Sequence, residues 1–227
     1  MALIDNQVAY WKLDNSLLDS SGNGHTLSNS GSTFGTGKIN NGIIFDGVNN
    51  YVSLAHNTDF TTSTFSNNYW VRFKSVSAQQ YIMFKDQSGN VNHDTSMIYQ
   101  PSLDKLQWTI QSGGGQALLL TPLFTDSDWH MITITSNGTT DHNIYFDGVL
   151  SESSALNWTI NGNTQTLYFG GWATATNADA DIDEIGWWNR VLTSTEVLEL
   201  YNSGAGLQYP YSTAATAKKA LFMLQSL

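Results

Sequence analysis

The chain has 227 residues, 19 acidic and 9 basic, a net charge of −10, and only 12% of its residues carry charge. Average soluble domains carry about 25% charged residues; here 21 Asn, 24 Ser and 24 Thr take that place, beside 28 aromatic residues. The balance excludes a basic footprint for nucleic acid. No run approaches the ~18–20 apolar residues of a membrane span, and the absence of Cys excludes disulfides, a thiol nucleophile and a thiolate metal site.

From Met1 to Asp5 no cationic region precedes an apolar core, so no secretory signal is visible. Strand signals then dominate to about residue 190. They run through Val8–Leu13, Gly42–Phe45, Tyr51–Leu54, Phe65–Phe73, Tyr81–Phe84, Met97–Tyr99, Lys105–Gln111, Ala117–Leu120, Trp129–Thr135, Asn143–Phe146, Gln165–Phe169 and Asp181–Trp188. Breaks of Asn, Asp, Gly and Ser recur roughly every 8–12 residues, the rhythm of an all-β sandwich or barrel.

Phe45-Asp46-Gly47-Val48 and Phe146-Asp147-Gly148-Val149 repeat the same four letters. Asp-Gly suits a tight hairpin, because glycine takes positive φ without a Cβ clash. Gly113-Gly114-Gly115 reads as another hairpin tip, since it lacks the Lys-Ser/Thr of a phosphate loop. Thr193-Ser194-Thr195-Glu196 reads as a capping box, followed by Val197, Leu200 and Tyr201 on one face and a stop at Gly204. The expected organisation is one domain over residues 1–211. A helical tail follows over 212–227, rich in Ala and Lys, with Leu221, Phe222 and Leu224 suited to docking or oligomerisation.

These pieces, in this order, resemble the laminin-G-like, concanavalin A-like lectin/glucanase domains. The matching residues include Ala9-Tyr10-Trp11, Asp19-Ser20-Ser21-Gly22-Asn23-Gly24-His25, Gly42 to Gly47, Tyr69-Trp70-Val71, Asp128-Trp129-His130, Tyr145 to Gly148, and Ile182 to Leu192. The resemblance implies an all-β fold: a two-sheet antiparallel jelly-roll sandwich with one short helix after the last strand. It does not fix a function, since the fold hosts lectins, glycosidases, lyases and adhesion modules.

Glycosidases of this fold look similar and carry Glu-x-Asp-x-x-Glu on one strand. This chain has four glutamates, Glu152, Glu184, Glu196 and Glu199, and none begins that pattern. Asp181 and Asp183 share a strand face and are the remaining candidates for a carboxylate pair. No Gly-x-Ser-x-Gly elbow and no His-x-x-x-His pair is present, and His130 reads as a structural residue at a strand start. The expectation is therefore a chain that is not an enzyme.

Calcium takes six to eight oxygen ligands. The loop Asp19 to Gly24 is short and rich in oxygen, and the resemblance implies that Asp183 lies close to it. One structural calcium is expected, held by Asp19 and Asp183, with Asn23 and the Gly47 backbone nearby.

Most aromatics read as core: Trp108 shares a face with Leu106 and Ile110, and Trp11, Trp129 and Trp187 fall at core positions that the resemblance implies. Trp172, in the polar run Gly170 to Asp179, and Trp158, between Asn157 and Thr159, are the candidates to stack on a sugar. Asp94 and Asn177 stand beside them as polar partners. The function expected is a non-catalytic surface-recognition module that binds a glycan or cell-surface polysaccharide or is adhesive, extracellular or on a cell or virion surface. The alternative is a structural or decoration protein of a virion or large assembly that meets its neighbours through the 212–227 tail. A glycoside hydrolase or lyase is the third reading.

Overall fold

A computed structural model of the chain describes residues 1–85, 95–112, 115–155, 164–172 and 176–211. The expected tail over 212–227, Asp94 and Trp158 lie outside these residues.

Two antiparallel sheets face each other. The first contains β1 (Gln7–Trp11), β3 (Thr33–Thr36), β4 (Asn41–Ile44), β6 (Thr64–Phe73), β11 (His130–Asn137), β12 (His142–Phe146), β13 (Val149–Ser154) and β15 (Ala180–Trp188). Its order is β13-β12-β11-β6-β15-β4-β3, and β1 also pairs with β15. The second contains β2 (Ser28–Ser30), β5 (Tyr51–Leu54), β7 (Gln80–Lys85), β8 (Thr95–Gln100), β9 (Lys105–Ser112), β10 (Gly115–Leu120) and β14 (Leu167–Phe169), in the order β10-β9-β8-β7-β14-β5-β2. This is the jelly-roll sandwich expected from the sequence.

Period-2 alternation builds the core. Phe65, Tyr69, Val71 and Phe73 of β6 face Met97 and Tyr99 of β8, Leu106, Trp108 and Ile110 of β9, and Trp187 of β15 in one buried cluster. Phe65 stacks on Trp187 at 5.1 Å between ring centroids. Trp11, Trp108 and Trp187 are fully buried, as expected; Trp129 is only half-buried, with the Arg72 guanidinium 4.9 Å over its ring.

The outer face of the first sheet carries a second cluster, in which Trp70, Met131, Tyr145 and Trp188 meet Val197 and Leu200 of helix α1 (Ser194–Tyr201). The capping box forms as expected. Thr193 Oγ1 accepts from the Glu196 backbone, and the Glu196 carboxylate accepts from the Thr193 N–H. Asn202 then closes the helix in the left-handed region at φ 48°.

The two Asp-Gly pairs do different things. Asp147-Gly148 is a hairpin between β12 and β13, with φ of 51° and 80° at the two positions. Asp46-Gly47 is not a hairpin, contrary to expectation. It leads from β4 in one sheet to β5 in the other, and the Gly47 N–H is held by the Ala178 carbonyl at 2.9 Å. Only the partners of the flanking strands separate the cases. His130, read as structural, lies between Asp147 and Asp126 (2.8 and 3.0 Å) and over Phe146. Burial alone would lower its pKa; the hydrogen bonds to the two carboxylates outweigh that and raise it above the ordinary histidine value.

Candidate functional site: an aromatic strip on the seven-stranded sheet

In β14, Leu167 and Phe169 point into the core, so Tyr168 points outward. It stands opposite Phe84 on β7 and Ser53 on β5 in the two ladders that flank β14. Tyr51, two residues from Ser53 on the same face, meets the Tyr168 ring edge-on at 5.5 Å. A bulge in β7 after Tyr81 brings Tyr81 and Phe84 to the same side, where their rings meet edge-on at 5.2 Å. Trp172 lies over Phe84 at 5.1 Å, with 27° between the planes.

The result is a run of rings across three neighbouring strands. Phe84 is buried beneath it, whereas Tyr51, Tyr81, Tyr168 and Trp172 are each part-exposed. Such a surface offers flat, rigid apolar area with polar tips, the combination that aromatic side chains bring to binding faces. Serines line one margin, where Ser28 and Ser53 pair; Ser96, opposite Phe84 on the other side, is buried.

Trp172 is thus placed in the strip. Asn177 packs against Gly171, next to Trp172 in the chain; its Nδ2 donates to the Val48 carbonyl at 2.6 Å, tying residue 177 to the crossover after Asp46-Gly47, while its Oδ1 has no hydrogen-bond partner among the described residues. Tyr51, Tyr168 and Phe84 did not enter the sequence expectation, although the alternation Leu167-Tyr168-Phe169 contains the signal for an outward tyrosine.

The carboxylates of the first sheet have other duties. Asp181 Oδ2 accepts from Arg72 Nη2 at 2.7 Å. Asp183 Oδ2 accepts from the Lys38 and Ile39 backbone at 2.8 and 2.9 Å, clasping the β3–β4 turn, and its Oδ1 accepts from the Glu184 N–H at 2.9 Å. Burial, with Glu184 beside it, pushes the Asp183 carboxyl up to about 9 against the pull of those N–H groups. Glu184 has φ 53° at a bulge in β15. Its carboxylate accepts from the Tyr10 hydroxyl and from Gln208 Nε2. Burial pushes its pKa up to about 7.

The expected calcium ligands are similarly engaged. Asp19 Oδ1 accepts from the Tyr10 N–H (3.0 Å), the Ser21 N–H (2.9 Å) and Ser21 Oγ (2.7 Å), and Oδ2 from the His25 N–H (3.1 Å). Burial works against the Asp19 carboxylate, but these donors hold its pKa below the ordinary value. Asn23 Nδ2 donates to the Gln7 and Val8 carbonyls. Asp19 and Asn23 therefore share one loop against β1, while Asp183 lies with the β3–β4 turn and Gly47 with Ala178 and Asp179. Their hydrogen-bonded atoms thus sit in separate settings, and among the described residues no group of three or more His, Asp or Glu is placed to hold a metal.

The chain belongs to the concanavalin A-like lectin/glucanases superfamily, whose family profile matches residues 46–198. Among solved structures it is similar to the binding domain of Paraclostridial Mosquitocidal Protein 1, with 22% identity and a TM-score of 0.74 over 89% of this chain and 53% of that one. It is also similar to domain 4 of AbnA, an extracellular arabinanase from Geobacillus stearothermophilus, solved with arabinotriose: 14% identity, TM-score 0.69, 86% of this chain and 97% of that one. A structure of botulinum neurotoxin type C, described as entering cells through two ganglioside molecules, gives 18% identity and a TM-score of 0.70 over 88% and 52%. The chain spans about half the length of the toxin chains it resembles. No curated protein matches it by sequence.

Proposed function

We propose that this chain is a non-catalytic binding module that receives a glycan on the outer face of its seven-stranded sheet and works outside the cell. The observation that carries this reading is the run Tyr51–Tyr168–Phe84–Trp172, four rings in contact or in register across three strands, with serine hydroxyls at its margin. The apolar face of a sugar ring stacks on such rings, and adjacent hydroxyls bond its edge. The arabinotriose of the arabinanase domain and the gangliosides of the botulinum toxin support a saccharide as the ligand class.

Two features support a binding role rather than hydrolysis. The carboxylates of β15 are occupied by Arg72, by backbone N–H groups, and by Tyr10 and Gln208. The aromatic strip also lies on the other sheet. The test is a glycan array probed with the wild-type chain and with Trp172→Ala and Tyr168→Ala. Loss of one class of glycan in both variants supports the reading, and unchanged binding in both removes the strip from the site.

A further inference from the structure

A second feature stands apart from the strip and shares no residue with it. Where β1 begins and β15 ends, Asn6, Gln7, Asn23, His25, Asp59 and Asn189 line a cleft of about 400 Å³, within the range of small-ligand sites. Its geometry is set by backbone bonds between the two strand ends: the Asn189 N–H donates to the Asn6 carbonyl at 3.0 Å. Asn23 is fixed by its Nδ2 bonds to the Gln7 and Val8 carbonyls, which leaves its Oδ1 as an acceptor. Asn189 Oδ1 accepts from Thr62 Oγ1 at 2.8 Å, which leaves its Nδ2 as a donor.

His25 is buried, its ring edge-on to Phe60 at 4.9 Å, and its Nε2 lies 3.1 Å from Asp59 Oδ2. The other Asp59 oxygen has no partner among the described residues. Gln7 is nine-tenths buried; its Nε2 donates to the Tyr211 hydroxyl, and its Oε1 has no hydrogen-bond partner. The cleft thus combines amide donors, amide acceptors and one carboxylate with the His25 imidazole beside it, with no Lys or Arg among its described lining residues, on a chain of net charge −10. Alternating donors and acceptors suit vicinal hydroxyl groups, each of which both gives and accepts a hydrogen bond. The carboxylate disfavours an anionic ligand.

We infer that this cleft is a separate ligand site that takes a single neutral sugar residue and turns acidic sugars away. It does not depend on the aromatic strip, and either site can fail without the other.

The experiment is a ¹H–¹⁵N titration of the full chain with the methyl glycosides of glucose, galactose, mannose and arabinose, and with glucuronate. At least one neutral glycoside is expected to shift the side-chain amide signals of Asn6, Asn23 and Asn189, with glucuronate at least about tenfold weaker, equivalent to ~1.4 kcal/mol. Asn189→Ala should weaken the neutral response, while Trp172→Ala leaves it in place. Absence of these shifts with all four neutral glycosides overturns the inference, as do equal or stronger shifts with glucuronate, or a response unchanged in Asn189→Ala. If Asn189→Ala fails to fold, the selectivity series on the wild-type chain and the Trp172→Ala control still decide.

Discussion

Arg190 and Glu196 form a two-pronged ion pair, with Nη1 and Nη2 donating to Oε2 and Oε1 at 2.9 and 2.8 Å, and both side chains are buried. The same guanidinium donates to the Asp5 and Ala2 carbonyls, and the same carboxylate caps α1. One contact therefore fastens the N-terminal segment, the end of β15 and the helix to each other.

Replacing Arg190 by Ala should cost on the order of 3–5 kcal/mol, the range for removing one partner of a buried ion pair. Arg190→Lys should recover only part of this, since an ammonium cannot reproduce the planar fork. Urea denaturation measures both. A loss under about 1 kcal/mol in Arg190→Ala, the range of exposed surface pairs, would contradict the buried role.

Glu184 sets a pH dependence. Burial raises its folded pKa to about 7 from an ordinary value of 4.5. The folded state therefore holds the proton more tightly than the unfolded state. The stability it contributes is fully present below the unfolded value, falls as pH rises between the two, and is lost above the folded one. Glu184→Gln should reduce the slope of that part of the stability–pH curve, leaving the share that comes from Asp183, whose folded pKa is raised to about 9. Denaturation midpoints measured in both proteins across the interval provide the check, and parallel slopes would count against the buried acid as their source.

Asp19 stabilises through backbone donors. Asp19→Ala leaves the Tyr10, Ser21 and His25 N–H groups without their acceptor, and a cost of about 1–3 kcal/mol per unsatisfied buried donor is the scale to expect. Partial exposure of the loop puts the total toward the lower end. Melting in calcium chloride and in EDTA should give the same midpoint for the wild-type chain. A rise with calcium that disappears in Asp19→Ala would instead place an ion at this loop.

Trp172→Ala should separate binding from stability. Losing a stacked, part-exposed ring costs the fold about 0.5–1.5 kcal/mol. Glycan affinity should fall by about tenfold or more, equivalent to ~1.4 kcal/mol. Calorimetric titration with a glycan selected from the array gives the affinity, and a thermal melt gives the stability. A large drop in melting temperature with unchanged affinity would make Trp172 a structural cover for Phe84 only.

Much of the fold was legible because burial writes itself into period-2 alternation and turn chemistry. Leu106, Trp108 and Ile110 announce one core face, and Thr193 to Glu196 announces the helix start. Strands β2, β3 and β13 were not legible. Ser28–Ser30, Thr33–Thr36 and Val149–Ser154 lie at the edges of the sheets, without a fully buried residue among them, so no apolar pattern marks them. Of the site, Trp172 stood out as an aromatic in a polar run. Tyr168 was masked by its core neighbours Leu167 and Phe169, since one outward ring between two inward side chains looks like continuous hydrophobicity. Asn177 reads as a polar loop residue by type, and only the Val48 carbonyl, distant in sequence, turns it into a tie.

Tyr51, Tyr168 and Phe84 belong to strands that are immediate neighbours, β5, β14 and β7. Neighbouring strands are about 4.8 Å apart, and the strip crosses them obliquely, because Tyr168 stands opposite Ser53 and Tyr51 lies two residues away along β5. It acts as a ruler laid obliquely over the sheet, along which an oligosaccharide would lie. Affinity should climb as a saccharide is lengthened from one residue to two or so and then level off once the graduations are used up.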